Sequence, residues 1–142
     1  ADLRPLVLDD LGLVSATEWL VSSFTQRSGV PCRLEIDEDL DLQEPYATAV
    51  FRMVQESLAN VAKHAGASQV DVRLVRNGNE VVLSVQDDGA GFRTEDRRKP
   101  QSLGLVGLRE RAALLHGTVA IGSAPGQGTR VEARIPLEAG ES

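Results

Sequence analysis

Residues 69–92 read QVDVRLVRNGNEVVLSVQDDGAGF. Val70, Val72 and Leu74 alternate with polar residues before Asn77–Gly78–Asn79, and Val81, Leu83 and Val85 keep the same two-residue spacing after it. A period of two is a strand pattern, and NGN between two such runs predicts a hairpin of strands 69–76 and 80–87. The second strand runs straight into Asp87 and Asp88, then Gly89 and Gly91, then Phe92. Glycines allow positive φ and close approach of backbone to a ligand. They also make an ordinary tight turn at a strand end. A carboxylate placed as Asp87 is can accept a hydrogen bond from an amino group on a base, but the stretch alone leaves turn and ligand wall both open.

The segments on either side of the hairpin place it in a fold. From Glu44 to Ala65, Ala47, Val50, Phe51, Val54, Leu58, Val61, Ala62 and Ala65 recur at three- and four-residue steps, one apolar face of a helix. Pro45 sits at the helix start and Gly66 at its stop. Upstream, apolar residues between Leu3 and Phe24 follow helical spacing with an interruption near Gly12, which predicts a kink or loop at DDLGL and a second helix over 14–27. SGVP breaks that helix, and CRLEID alternates as a short strand. Downstream of Phe92 a polar stretch to Ser102 has no periodicity and reads as a loop. GLVGLRERAALLHG is a helix entered through Gly104 and Gly107 and left at Gly117. Strands at 118–123 and 129–136 close the chain around the turn APGQG. This order predicts an α+β two-layer sandwich, helices on one face of a mostly antiparallel mixed sheet.

Composition narrows the function classes. The 142 residues suit one domain, and the apolar share of 42% supports one core, built from Leu, Val, Ile and Ala because aromatics are only 4%. A net charge of −6 argues against direct nucleic-acid binding, which needs clustered cations; Arg97–Arg98–Lys99 is too short a run to supply them. One cysteine and two histidines exclude a disulfide framework or a metal cage made from those residues. No apolar run reaches the ~18 residues of a membrane span, so the reading is of a cytoplasmic chain. Cys32 reads as a small buried hydrophobe, Trp19 as packing, and His116 as structural at a helix end that favours a cation.

Chemistry can reside in three places. Glu56, Asn60 and His64 are spaced by four on the long helix, with Lys63 beside His64. Such spacing stacks them on one face, either as a solvated helix side or as a metal–phosphate edge: Mg²⁺ takes one or two protein oxygens plus phosphates and waters, and Lys63 offers a point charge. Gly104 and Gly107 leave free N–H groups at a helix start, a ready anion site with Arg109 and Arg111 nearby, or simply a flexible helix entry. Thr129, just inside the last strand, can hydrogen-bond a ligand or merely close a hairpin. Neither a Walker A loop nor a complete GxGxxG is present.

The order of these motifs resembles the GHKL (Bergerat-fold) ATP-binding superfamily, which includes sensor histidine kinases, DNA gyrase B subunits, MutL-type repair ATPases and heat-shock chaperones of the ninety-kilodalton class. ESLANVAKHA is similar to its N box, DDGAGF to its first glycine box and GLVGLRER to its second, across residues 30–138. LRPLVLDDLGLVSA, QESLANVAKHA and GLVGLRERAALLHG together resemble the NarX/DesK/LiaS-like sensor histidine kinases. On that resemblance residues 1–27 are the end of a dimerisation and histidine-phosphotransfer helix plus a connecting helix, and residues 28–142 the catalytic and ATP-binding domain of a longer protein.

The resemblance implies ATP and Mg²⁺ as cofactors. Asp87 would bond the adenine amino group; Gly89 and Gly91 would shape the pocket, and Thr129 would support adenine, often through water. Asn60 would hold Mg²⁺, with Lys63 and His64 near phosphate and ribose. Residues 92–107 would form the ATP lid, with Gly104, Leu105, Gly107 and Leu108 at the nucleotide. Glu56 matches a water-activating base in the hydrolysing branches, its part here being base, metal support or polar helix face. Asp88 is expected to face solvent and tolerate change. The implied reaction transfers the γ-phosphoryl of ATP to a histidine. The phosphoacceptor motif is absent, and neither His64 nor His116 matches it, so this stretch is expected to bind ATP without phosphorylating itself. Its implied partners are its own dimerisation domain and, indirectly, a NarL-type response regulator, with the full-length protein a membrane-anchored homodimer and this stretch a monomer. An ATP-hydrolysing clamp or an anti-sigma-factor serine kinase are the other members considered. The upstream helix argues against the serine kinase, and the clamps' longer lid and lysine-bearing following domain are not seen.

Overall fold

The structure, a computed structural model, describes residues 5–91, 93 and 105–137. Helix α1 spans Leu6–Ser28, β1 Cys32–Ile36, α2 Tyr46–Asn60, β2 Val70–Asn77, β3 Glu80–Asp87, α3 Leu105–Leu114, β4 Thr118–Ser123 and β5 Thr129–Pro136. The five strands lie in the order β1-β2-β3-β5-β4. Only β1 and β2 run parallel; the other pairs are antiparallel. The helices pack on one face of this mixed sheet, the sandwich the sequence order predicts.

Alternation decides which face is covered. Val70, Val72 and Leu74 on β2, Val81, Leu83 and Val85 on β3, and Ala133 and Ile135 on β5 are buried beneath the helices. Each large aliphatic side chain so buried contributes roughly 1.5–3 kcal/mol. The other face is charged: Arg33 pairs with Asp71 and Arg73 with Glu35 across β1 and β2. On β5, Arg134 reaches Glu80 and Glu132. These exposed pairs set register more than stability.

The upstream helix breaks where expected, at Gly12, whose φ of 78° and ψ of 171° interrupt α1. Beyond the kink Leu13, Ala16, Leu20, Val21 and Phe24 enter the same core as α2 and the sheet. Trp19 does not; it is 49% exposed, so its expected packing role is corrected. The long helix is α-helical only to Asn60 and continues as a π turn over Val61–Ala65, stopping at Gly66 in the left-handed region. A π turn so placed is often a functional feature. Helix α3 also ends differently from expectation. The left-handed residue is His116, at φ 63°, and Gly117 is needed because a Cβ there would lie 2.6 Å from the Arg134 carbonyl. Cys32 packs against the core, and burial followed by the Asp71 charge pushes its thiol up to about 11. No helix among the described residues is long and apolar enough to cross a membrane.

Candidate functional site

The hairpin registers bring two of the expected residues side by side. Asp87 on β3 lies directly opposite Val70 on β2 and Thr129 on β5, and Thr129 lies opposite Ser123 on β4. Opposed residues share a face, so Asp87, Thr129 and Ser123 form one polar row at the end of a sheet whose next rows are apolar. Asp87 is buried. Desolvation raises its pKa above the ordinary carboxylate range, opposed by hydrogen bonds from the backbone N–H groups of Gly89, at 2.8 Å, and Thr129. Beside it, the Ser123 hydroxyl donates to the Gly128 carbonyl at 2.9 Å and meets the Thr129 hydroxyl at 2.9 Å.

Gly91 of DDGAGF is required first by the protein's own backbone. Gly91 has φ 67°, and a Cβ on it would stand 2.1 Å from the Ala124 carbonyl. Gly128, at φ 76°, would put a Cβ 2.1 Å from the Asp87 carbonyl. The Gly126 N–H donates to the Ala90 carbonyl at 2.6 Å. The loop after β3 is thus held against the β4–β5 turn, and the wall beside Asp87 is built from two loops.

Asp88 faces solvent as expected, and its carboxylate also accepts from the Ser68 N–H at 2.8 Å, the Ser68 hydroxyl at 2.5 Å and the Gln69 N–H at 3.0 Å. These bonds, the Ser68 hydroxyl first, hold the carboxyl below the ordinary carboxylate range. Asp88 therefore ties the loop after Asp87 to the segment joining the π turn to β2.

A second cluster forms where α2 meets α3. Arg111 donates through Nε to Glu56, the two side chains 28% and 30% exposed. A Cβ on Gly107 would lie 3.0 Å from the other Glu56 oxygen, so the carboxylate is wedged between Arg111 and the start of α3. One turn along, Asn60 Nδ2 is buried and has no hydrogen-bond partner among the described residues, and the same holds for Ser57 Oγ. Buried polar groups are normally satisfied, so the Asn60 amide is a donor left for an acceptor such as a phosphate oxygen, and Mg²⁺ would have to take the carboxamide oxygen instead. No group of three or more His, Cys, Asp or Glu among the described residues could hold a metal.

Not every expected residue joins these clusters. Lys63 is exposed and lines a groove of about 530 Å³ between α1 and the end of α2, with Leu20, Phe24 and Arg27. Leu105 and Leu108 are core residues at 3% and 1% exposure. Of the expected lid, residues 92–107, Phe92 and residues 94–104, Gly104 among them, lie outside what the structure describes, as does the side chain of His64. Sequence reasoning missed Ser123 and Gly128, and it set Arg111 beside an anion site without seeing its pairing with Glu56. The five-residue loop between Ser123 and Thr129 is the signal that could have paired those two; nothing local in the sequence points from Arg111 to Glu56.

Comparison with known proteins bears on this geometry. The family described as Histidine kinase-, DNA gyrase B-, and HSP90-like ATPase matches residues 46–139. The chain is 36% identical over 137 residues to the signal transduction histidine-protein kinase/phosphatase DegS of Brevibacillus brevis, covering 96% of this chain and 35% of that protein. It is 37% identical to the oxygen sensor histidine kinase NreB of Staphylococcus carnosus, covering 96% of this chain and 40% of that one. The chain thus spans well under half of these relatives. In fold it is similar to the Erythrobacter litoralis EL346 blue-light activated histidine kinase, with a TM-score of 0.71 at 23% identity over 88% of this chain and 42% of that one. Acinetobacter baumannii histidine kinase AdeS aligns with a TM-score of 0.70 at 16% identity, over 93% of this chain and 73% of that one.

Proposed function

Because this chain belongs to the histidine kinase-, DNA gyrase B- and HSP90-like ATPase family, we propose that it is the ATP-binding catalytic domain of a sensor histidine kinase. It transfers the γ-phosphoryl of ATP to a histidine carried on a dimerisation domain, for relay to a response regulator of the NarL type. The observation that carries the reading is the desolvated carboxylate of Asp87 opposite Thr129, an acceptor row at the mouth of an otherwise apolar sheet face. Relatives named as sensor histidine kinases over 96% of this chain support it.

In this reading Asp87 accepts from the exocyclic amino group of adenine, and the Gly89 and Thr129 amides hold its carboxylate in place. Gly91 and Gly128 keep the two loops close enough to wall the base. Asn60 would hold Mg²⁺ through its carboxamide; when bound, the metal neutralises the charge developing on the phosphates. Lys63, His64, Gly104 and Gly107 serve the phosphates and ribose. Glu56, engaged by Arg111, acts in holding α2 to α3 beside the phosphates. Residues 1–27 end a dimerisation helix and connect it to the catalytic fold, and the domain works on the cytoplasmic side of a dimeric sensor.

The test mixes this chain with Mg²⁺ and γ-labelled ATP, with and without a histidine-bearing dimerisation domain. Label on that domain's histidine, and none on this chain alone, is expected. Steady release of free phosphate by this chain alone would instead favour an ATP hydrolase.

A further inference from the structure

Ser123 has one hydroxyl hydrogen, and the structure spends it on the Gly128 carbonyl at 2.9 Å. The 2.9 Å contact between Ser123 Oγ and Thr129 Oγ1 is then satisfied in one direction only: Thr129 donates and Ser123 accepts. With its hydrogen so engaged, the Thr129 hydroxyl presents lone pairs alone to anything bound beside it. Its neighbour in the row, Asp87, is acceptor-only when ionised.

From this we propose that Ser123 is a specificity-determining residue: it fixes the polarity of Thr129 so that the row offers only acceptors and selects a base bearing an exocyclic amino group over one bearing a carbonyl there. The proposal rests on the nucleotide reading of the site and names what makes it select a 6-aminopurine. Asp87 and Thr129 are directly opposed on neighbouring strands, and an amino group has two hydrogens to give to two acceptors. A 6-oxopurine would instead set a carbonyl against the Asp87 carboxylate and a hydroxyl unable to turn its hydrogen outward. Gly128 enters the device as well, since the carbonyl that engages Ser123 is fixed by a glycine whose Cβ would collide with Asp87.

Titration calorimetry of this chain with ATP and with ITP, for wild type, Ser123→Ala, Thr129→Val, the double variant and Asp87→Asn, tests the assignment. Removing the Ser123 hydroxyl frees Thr129 to donate, so Ser123→Ala is expected to bind ITP more tightly while ATP changes little. The ATP-to-ITP affinity ratio then falls about fivefold to tenfold. In the Thr129→Val background the serine substitution should leave the ratio unmoved. An unchanged ratio in Ser123→Ala, or an equal loss of both nucleotides, overturns the proposal while Asp87→Asn still loses ATP. Failure of wild type to bind either nucleotide, or unchanged ATP affinity in Asp87→Asn, overturns the nucleotide reading itself and this proposal with it.

Discussion

Gly126 and Gly128 belong to one turn, with nearly equal φ of 77° and 76°, and differ in what a Cβ would meet. At Gly126 nothing lies within 4 Å; at Gly128 the Asp87 carbonyl oxygen would be 2.1 Å away. Substitution by Ala forces an L-residue into the left-handed region in both cases, at about 1–2 kcal/mol. Only Gly128→Ala adds an overlap with backbone, and overpacking of that kind costs about 1–3 kcal/mol. The total for Gly128→Ala is about 2–5 kcal/mol, against about 1–2 for Gly126→Ala. In a chain of 142 residues each kcal/mol moves the melting temperature by about 3 °C, so the expected losses are about 6–15 °C and about 3–6 °C. Differential scanning calorimetry measures both. Because relief of the overlap moves the end of β3, Gly128→Ala should also lose nucleotide affinity that Gly126→Ala keeps. Equal melting losses in the two variants would refute the claim that the loops are packed backbone to backbone.

Asp88→Ala should lower both melting temperature and nucleotide affinity, although the residue faces solvent, because its carboxylate ties two segments together. The native carboxyl titrates below the unfolded one, so its contribution is full above the ordinary carboxylate range near pH ~4 and fades as pH falls through the native value. The wild-type advantage measured at pH 7 should therefore shrink toward pH 3, and an advantage constant over that range would contradict the hydrogen-bonded role. Arg111→Ala leaves Glu56 without its guanidinium partner, and at about one-third exposure that costs about 1–2 kcal/mol by denaturant titration; Arg111→Lys should recover only part. No loss in Arg111→Ala would remove the α2–α3 link. Asn60→Ala should weaken ATP binding in Mg²⁺ several-fold more than binding in chelator, and equal losses would remove its metal role.

Periodicity made most of this fold legible. The 3.6-residue stripe of α2, the alternating hairpins and the break at Gly12 come from local patterns that burial enforces, and all are present. The π turn after Asn60 was not legible, because Val61–Ala65 carries the same apolar stripe in either helical form. Trp19 misleads for a related reason: an aromatic on an amphipathic helix is assigned inward by type, while its angular position sets it in solvent. At the site, Asp87, Gly91 and Thr129 stand out because strand ends and glycine turns mark themselves. The role of Asp88 depends on Ser68 and Gln69, and that of Ser123 on a register across two hairpins. Such partners, distant in sequence, leave no local trace, and the same holds for Arg111 with Glu56.

The central claim is that a nucleotide base docks on the Asp87 carboxylate, and titration calorimetry of Mg²⁺–ATP into wild type and Asp87→Asn tests it most directly. Saturable heat in wild type and none in Asp87→Asn, with matching circular dichroism spectra, is the predicted result. Equal ATP affinity in the two proteins would contradict it.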